Sequence, residues 1–242
     1  MRYFIELAFK GTNYCGWQLQ PNAITVQGVI EEKLSILLKQ KIEIVGAGRT
    51  DTGVHALQYF AHFDIDTTIV DTKNLIYRLN RILPYDISIF SIFEVPENTH
   101  ARFDATSRTY RYLIETNKNP FNHEFATFIP YKLNLEKMNL AAKILLSHND
   151  FKSFSKTGSD NKTTICKVTQ ANWSINNSLT VFEITADRFL RNMVRAIVGT
   201  MIDVGKEKIS IAEFENIINA LDRKCTGESA EAKGLYLYKI EY

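Results

Sequence analysis

The residues best suited to chemistry lie in residues 46–56, the segment GAGRTDTGVHA. This segment holds one carboxylate, Asp51, which follows Arg49 by two residues and precedes His55 by four. An ionised carboxylate can act as a nucleophile or as a general base where it meets the reacting atoms. Apolar runs on both sides predict a rigid loop between two strands, and such loops often carry catalytic residues. An ordinary Gly-Asp turn is the alternative interpretation.

A second charged residue of interest is Arg195, which lies in the apolar run RNMVRAIVGTM of a predicted helix. A charge buried in such a helix is costly without a partner, and Asp51 is a candidate partner. A nearby arginine favours the charged form of a carboxyl group. The alternatives are that Arg195 extends out of the helix to solvent or pairs with another acid.

Arginines alternate with aromatic residues near several predicted strand and helix ends. The arginines are Arg102, Arg108, Arg111, Arg188 and Arg191, and the aromatic residues are Phe103, Tyr110, Tyr112 and Phe189. Nucleic-acid surfaces use this combination, because arginine binds phosphates and aromatic rings stack on bases. Tyr110 and Tyr112 share one face of a predicted strand, so plain strand packing is the alternative for both.

Other motifs lack the context that their chemistry requires. Asp51-Thr52-Gly53 matches the aspartic protease triplet, but the sequence has no second copy with which to share a proton. Residues 64–68 (DIDTT) match a phosphatase motif that needs a downstream acidic pair, and no Asp-Asp pair occurs. The histidines are not spaced as metal ligands, and the three cysteines form no CxxC pair. We therefore expect no metal site and no disulfide framework.

The bulk composition is that of an ordinary globular protein. Of the 242 residues, 45% are hydrophobic and 23% are charged, with a net charge of +2 and a pI near 8.3. This length suits one large domain or two small ones, and the mild basicity permits a nucleic-acid partner. The first residues alternate as in a strand rather than a signal peptide, and no run is long enough to span a membrane. With reduced cysteines, these features indicate a cytoplasmic location.

The order of predicted elements indicates an α+β fold. Residues 2–95 predict the order β-α-β-β-α-β of a ferredoxin-like (RRM-like) module, and the second half repeats this logic. Its predicted elements are a strand at 108–115, a helix at 135–146, a hairpin over 164–186, helices at 190–204 and 211–221, and a strand at 234–242. The polar segment 156–162 is predicted to be a surface loop.

We therefore predict two modules, residues 1–103 and 104–242, each with an antiparallel sheet and its helices on one face. The first carries the Asp51 loop, and the second carries Tyr110 and the Arg195 helix. We expect the two sheets to join edge to edge, with a groove between the modules.

Several segments, in this order, resemble motifs of the TruA family of tRNA pseudouridine synthases. They are GTNYCGWQLQ, GRTDTGVHA, HARFDATSRTYRY, DFKSF, FLRNMVRAIVGTM and GLYLYKIEY, which together cover nearly the whole chain. The resemblance implies isomerisation of uridine to pseudouridine in the anticodon arm of tRNA, at positions 38, 39 and 40. It further implies that the enzyme needs no cofactor or metal and forms a homodimer.

The resemblance also assigns roles residue by residue. It implies that Asp51 is the catalytic aspartate, that Tyr110 stacks on the target base, that Arg195 pairs with the aspartate, and that Arg49 holds the site open when the uridine flips out. Three positions depart from the family pattern. Thr52 replaces the usual alanine, Lys10 replaces an aspartate, and Glu231 stands where a proline precedes GLYL.

A non-catalytic RNA-binding protein with two RRM-like modules is the alternative function. It would keep the basic and aromatic surface but would not need Asp51.

Overall fold

The structure is a computed structural model that describes residues 1–158 and 162–242. Residues 159–161, within the predicted surface loop 156–162, lie outside the described residues. The chain divides into two compact units, Met1–Thr106 with Leu237–Tyr242, and Ser107–Tyr236. The sequence predicts a boundary at residues 103 and 104 with the closing strand in the second module, whereas the structure groups the end of the chain with the first unit.

The first unit is built on an antiparallel sheet. Its elements in chain order are β1 (Arg2–Phe9), α1 (Val26–Leu38), β2 (Ile44–Gly46), β3 (His55–Asp64), α2 (Thr72–Ile82) and β4 (Ile87–Val95). The strands are ordered β4-β1-β3, and the short β2 pairs with β3. This short strand ends where the segment that carries Asp51 begins.

Capping residues and apolar stripes explain the two helices of this unit. Thr25 Oγ1 accepts a hydrogen bond from the Gly28 N–H at the start of α1 (3.3 Å), and Asp71 accepts one from the Asn74 N–H at the start of α2 (2.9 Å). Each bond satisfies a backbone donor that the first turn leaves unpaired. The inward stripes are fully or almost fully buried: Val26, Ile30 and Leu34 on α1, and Leu75 and Leu79 on α2.

The strands of the second unit also pair with one another. Its elements in chain order are β5 (Ser107–Glu115), β6 (Thr127–Phe128), α3 (Leu135–Ile144), β7 (Val168–Asn176), β8 (Leu179–Ala186), α4 (Met193–Gly205) and α5 (Ile211–Asn219). The strand order is β5-β8-β7, with antiparallel pairs, and β6 pairs with β5 in parallel. Trp173 and Phe182 stack with ring centroids 4.8 Å apart in the core of this unit.

Some boundaries differ from the prediction. The sequence predicts the turn of the hairpin at Asn176 and Asn177. In the structure it lies at Asn177 and Ser178, which both have positive φ, as the tight turn of a hairpin requires. The first strand of that hairpin begins at Val168 rather than residue 164. Helix α4 begins at Met193 rather than residue 190, because Asn192 takes a left-handed conformation with φ 66° and interrupts the apolar run.

The last strand is β9 (Leu235–Glu241), which lies beside β3. The Ile240 N–H donates to Gln58 Oε1 (3.1 Å), and the Tyr242 hydroxyl donates to the Ala101 carbonyl (2.7 Å). The chain is therefore a mixed α and β protein with a mostly antiparallel sheet, and the prediction of fold class is confirmed at this level.

Candidate active site

Asp51 lies in the loop between β2 and β3, as the sequence predicts. The loop begins with a hydrogen bond from the Ala47 N–H to the Phe60 carbonyl (2.8 Å). It ends in a turn in which the Val54 N–H donates to the Asp51 carbonyl (3.1 Å) and Gly53 has φ +79°. Asp51 itself is half-buried, while Thr52 and Arg49 are exposed. A carboxylate held in this way is accessible but has a fixed backbone.

The loop that follows β1 packs directly on the Asp51 loop. The Trp17 N–H donates to the Thr50 carbonyl, and the Gly53 N–H donates to the Tyr14 carbonyl, both at 3.4 Å. The two segments therefore exchange backbone hydrogen bonds on either side of Asp51. The motif GTNYCGWQLQ is thus a support for the Asp51 loop within the first unit.

Two glycines make this close approach possible. Gly16 has φ +81°, and a Cβ atom built on it would lie 2.2 Å from the Thr50 carbonyl oxygen. A Cβ atom built on Gly11 would lie 1.9 Å from the Val54 carbonyl oxygen. Any larger residue at either position would push the Asp51 loop away, because these contacts are to backbone atoms.

An aromatic pair holds the start of the same loop. Trp17 and Tyr59 stack with ring centroids 4.0 Å apart, and both are buried. The Tyr59 hydroxyl donates to the Gly48 carbonyl and accepts from the Gly48 N–H. The residue before Arg49 is therefore fixed through β3 and through the loop after β1.

His55 is buried and has a structural role. It is 2% exposed, and its Nδ1 accepts a hydrogen bond from the Gly11 N–H (3.0 Å). The neighbouring Tyr14 hydroxyl donates to Asp86, and burial together with this carboxylate raises the pKa of Tyr14. Both contacts fix the loop after β1, so we place His55 and Tyr14 in the support of the Asp51 loop.

Tyr110 lies on β5 of the second unit, half-exposed, opposite Ile184 of β8. Its ring meets Phe189 edge to face, with centroids 5.1 Å apart and an interplanar angle of 84°. Tyr112, two residues further on, is completely buried, and its hydroxyl hydrogen-bonds Thr127 Oγ1 (2.6 Å) and the Glu231 carbonyl (2.9 Å). Plain packing therefore explains Tyr112, while Tyr110 keeps a partly accessible ring.

Arg195 is one of two residues of α4 that are not buried, the other being Asp203. Its Nε donates to the Ala230 carbonyl (2.7 Å), and the Ala230 N–H donates back to the Arg195 carbonyl (2.9 Å). The guanidinium is therefore fixed at Nε by the segment that precedes β9. Of the predicted site residues, Arg49 and Asp51 share a loop of the first unit, and Tyr110 and Arg195 belong to the second.

Comparison with known proteins identifies the family. The profile of a family described as tRNA pseudouridine synthase matches residues 7–104 and 141–242. The chain is 50% identical to tRNA pseudouridine synthase A of Parabacteroides distasonis, over all of this chain and 96% of that protein. It is 39% identical to the protein of the same name from Clostridium acetobutylicum, over 98% of both chains. The chain belongs to the tRNA pseudouridine synthase family.

Membership of this family confirms the predicted enzyme class, an isomerase. Arg49, Asp51 and Arg195 fall inside the matched ranges, and Tyr110 falls between them. Among residues 1–158 and 162–242, no group of His, Cys, Asp and Glu is arranged to hold a metal ion. Within the same residues, no helix is long and apolar enough to cross a membrane.

Sequence reasoning missed two kinds of residue. Gly11 and Gly16 are ordinary loop glycines by sequence, and only the structure shows the loop carbonyls that fill the space of their side chains. The second group consists of residues in the segment before β9, such as Ala230, whose carbonyl contacts Arg195 although the two residues are far apart in the chain. The signal for it was the departure at Glu231, which has φ −56° and ψ 144°, the conformation that a proline would adopt.

Proposed function

We propose that this chain isomerises uridine to pseudouridine at positions 38, 39 and 40 in the anticodon arm of tRNA, with Asp51 as the catalytic carboxylate. The observation that carries the proposal is the support of the Asp51 loop by the loop after β1, at Gly16 and Trp17. Such preorganisation holds a reacting group in place before the substrate arrives.

The proposed reaction breaks the N1–C1′ bond of uridine, turns the uracil, and forms a C5–C1′ bond. The C5 proton leaves and N1 takes up a proton, so every other atom is kept and no redox step is needed. Asp51 acts either as a nucleophile or as a base on the ribose or the ring. Arg195 supplies the positive charge that keeps Asp51 negatively charged in this proposal.

The target uridine must leave the base stack before it can react, which costs a few kcal/mol. Tyr110 offsets that cost by stacking on the extruded base, a contact of roughly 1–3 kcal/mol. Arg49 is exposed beside Asp51 and keeps the site open while the uridine is outside the stack. Support for the role of Tyr110 comes from its half-exposed ring, which Phe189 orients.

We also propose the finer architecture that the family resemblance implies. It consists of two ferredoxin-like modules, joined edge to edge, with the RNA-binding cleft between them, in a cytoplasmic homodimer. Within the first unit, the antiparallel order β4-β1-β3-β2 supports this proposal, and within the second the order β5-β8-β7 supports it.

The test uses an unmodified tRNA transcript that is tritiated at C5 of uridine. The proposal expects tritium release by the wild-type chain, with pseudouridine mapped to positions 38–40 by carbodiimide treatment and primer extension. A transcript with cytidine at these positions is the matched control and should release no tritium. Tight tRNA binding without tritium release would favour the non-catalytic RNA-binding module, and pseudouridine at other positions would overturn the proposed site.

A further inference from the structure

A segment that we call the strap, residues 223–231, lies along helix α4 in the second unit. The Gly227 N–H donates to Thr200 Oγ1 (3.2 Å), and the Ala230 N–H donates to the Arg195 carbonyl (2.9 Å). Gly199 makes the approach possible, because a Cβ atom built on it would lie 1.8 Å from the Glu228 carbonyl oxygen. The strap therefore runs antiparallel to the helix and contacts it closely over more than one turn.

Arg223 holds the first part of the strap. One guanidinium nitrogen, Nη2, donates to Ser229 Oγ (2.9 Å), while Nη1 donates to the Gly227 carbonyl (3.3 Å) and to Thr226 Oγ1. Ser229 Oγ also accepts a hydrogen bond from Asn192 Nδ2 (2.6 Å), and Asn192 is the residue that precedes α4. The planar fork of the arginine thus fixes three positions of the strap, which the single ammonium of a lysine would not reproduce.

The other end of the strap contacts Arg195 of the proposed site and a buried neighbour of Tyr110 on β5. The Ala230 carbonyl accepts from Arg195 Nε (2.7 Å), and the next carbonyl, that of Glu231, accepts from the Tyr112 hydroxyl (2.9 Å). Tyr112 stands two residues from Tyr110 on β5. Neighbouring carbonyls of the strap therefore fix both the guanidinium of Arg195 and the strand that carries Tyr110.

We propose that Arg223 is a positioning residue for the isomerisation, which acts through the strap by holding the Ala230 carbonyl in place for Arg195. The inference rests on the proposed function, which gives Arg195 its role. Because the arginine hydrogen-bonds to neutral oxygens of the strap, its contribution is to geometry. A misplacement of about 1 Å at a reacting group can cost on the order of 100-fold in rate.

The experiment compares Arg223→Ala, Ser229→Ala and the control Lys224→Ala in the full chain, with the tritiated tRNA transcript. Lys224 is the adjacent cation and its side chain is exposed. We expect Arg223→Ala to lower kcat by about 10- to 100-fold with KM for tRNA unchanged.

Guanidinium chloride in millimolar amounts should restore part of the turnover that Arg223→Ala loses, and Lys224→Ala should behave as wild type. If Arg223→Ala does not fold, Ser229→Ala carries the same test, because it removes one contact that Arg223 shares with Asn192.

A second arm shows whether Arg223 acts through Arg195. Arg195→Lys keeps the charge but lacks the Nε donor, so adding Arg223→Ala to it should change kcat by less than about twofold. Equal losses in both backgrounds would overturn the proposal. So would a rise in KM with a weaker salt dependence of tRNA binding, which is the signature of a phosphate contact.

Arg195→Met, measured in parallel, separates the two proposals. Wild-type turnover of Arg195→Met would refute the proposed role of Arg195 whatever Arg223 does. An inactive Arg195→Met beside a fully active Arg223→Ala would refute the positioning role alone.

Discussion

Replacing Gly16 by alanine should displace the loop that carries Asp51. The backbone of Gly16 has φ +81°, and the new methyl group would lie 2.2 Å from the Thr50 carbonyl oxygen, where ordinary contact begins at 3.4 Å. The two segments must therefore separate by the difference, about 1.2 Å. Both the left-handed conformation and the displacement cost free energy, and the displacement also moves the neighbour of Asp51.

The expected loss of stability in Gly16→Ala is the sum of these two costs. An L-residue in the left-handed region costs roughly 1–2 kcal/mol, and an overpacked contact costs about 1–3 kcal/mol. We expect the free energy of unfolding to fall by about 2–5 kcal/mol. In a chain of this size, each kcal/mol lost lowers the Tm by about 2–4 °C. Turnover should fall on the order of 100-fold, because the catalytic group moves by about 1 Å.

Thermal unfolding and tritium release from tRNA measure the two effects separately. Gly48→Ala is the matched control for stability, because it adds the same methyl group in the same loop with nothing within 4 Å. It should leave the Tm unchanged. A Gly16→Ala variant with the wild-type Tm would refute the close packing of the two loops. A lower Tm with wild-type turnover, measured well below the transition, would refute the link between loop position and catalysis.

Three further predictions concern pH dependence, backbone conformation and stacking. His62 is buried, and burial together with the charge of Arg2 lowers its pKa to about 4, so unfolding takes up a proton between about pH 6.5 and pH 4. The free energy of unfolding should therefore decrease as pH falls through this window, by up to about 3 kcal/mol, and His62→Asn should remove most of the slope in denaturant titrations. The free energy of unfolding of Glu231→Pro should be about 0.4–1 kcal/mol higher than that of Glu231→Ala, because the native φ of −56° already suits proline. Tyr110→Phe should bind tRNA with the wild-type Kd, since the ring that meets Phe189 is kept.

Each of these predictions has a result that would contradict it. An unchanged pH slope in His62→Asn would mean that other groups take up the proton. Glu231→Ala loses the same ion pair with Lys233 (3.1 Å) as the proline variant, so a proline variant of equal or lower stability would refute the conformational argument. Weaker tRNA binding by Tyr110→Phe, in a gel-shift titration, would refute stacking as the role of that ring.

The local parts of the fold were predictable because their causes are local. The sequence at the start of α5 has Ser210 followed three residues later by Glu213, which predicts a capping box. In the structure the Ser210 side chain accepts from the Glu213 N–H, and Glu213 accepts from the Ser210 N–H. Alternation predicts a strand over residues 2–9, and apolar spacing after a Thr25 cap predicts a helix over residues 26–38. The strand β1 and the helix α1 have these bounds in the structure. The two-residue β6 has no comparable signal, since its pairing with β5 depends on residues distant in the chain.

The candidate site divides in the same way. Asp51 could be found from sequence because glycine, arginine and aspartate are concentrated in one short loop. The support of that loop could not be found from sequence. The contact between Gly16 and Thr50 forms only when the loop that follows β1 folds back onto the loop that precedes β3. Arg195 was predicted as a charge in an apolar helix, but its Nε contact with Ala230 joins the helix to a segment thirty-five residues further along.

The central claim is that Asp51 is the catalytic carboxylate of a tRNA pseudouridine synthase. The most direct measurement is single-turnover tritium release by Asp51→Ala with enzyme in excess over tRNA, beside the neighbouring variant Thr52→Ala. The account predicts that Asp51→Ala binds tRNA and melts like wild type yet forms no pseudouridine, while Thr52→Ala remains active. Pseudouridine formed by Asp51→Ala would contradict it.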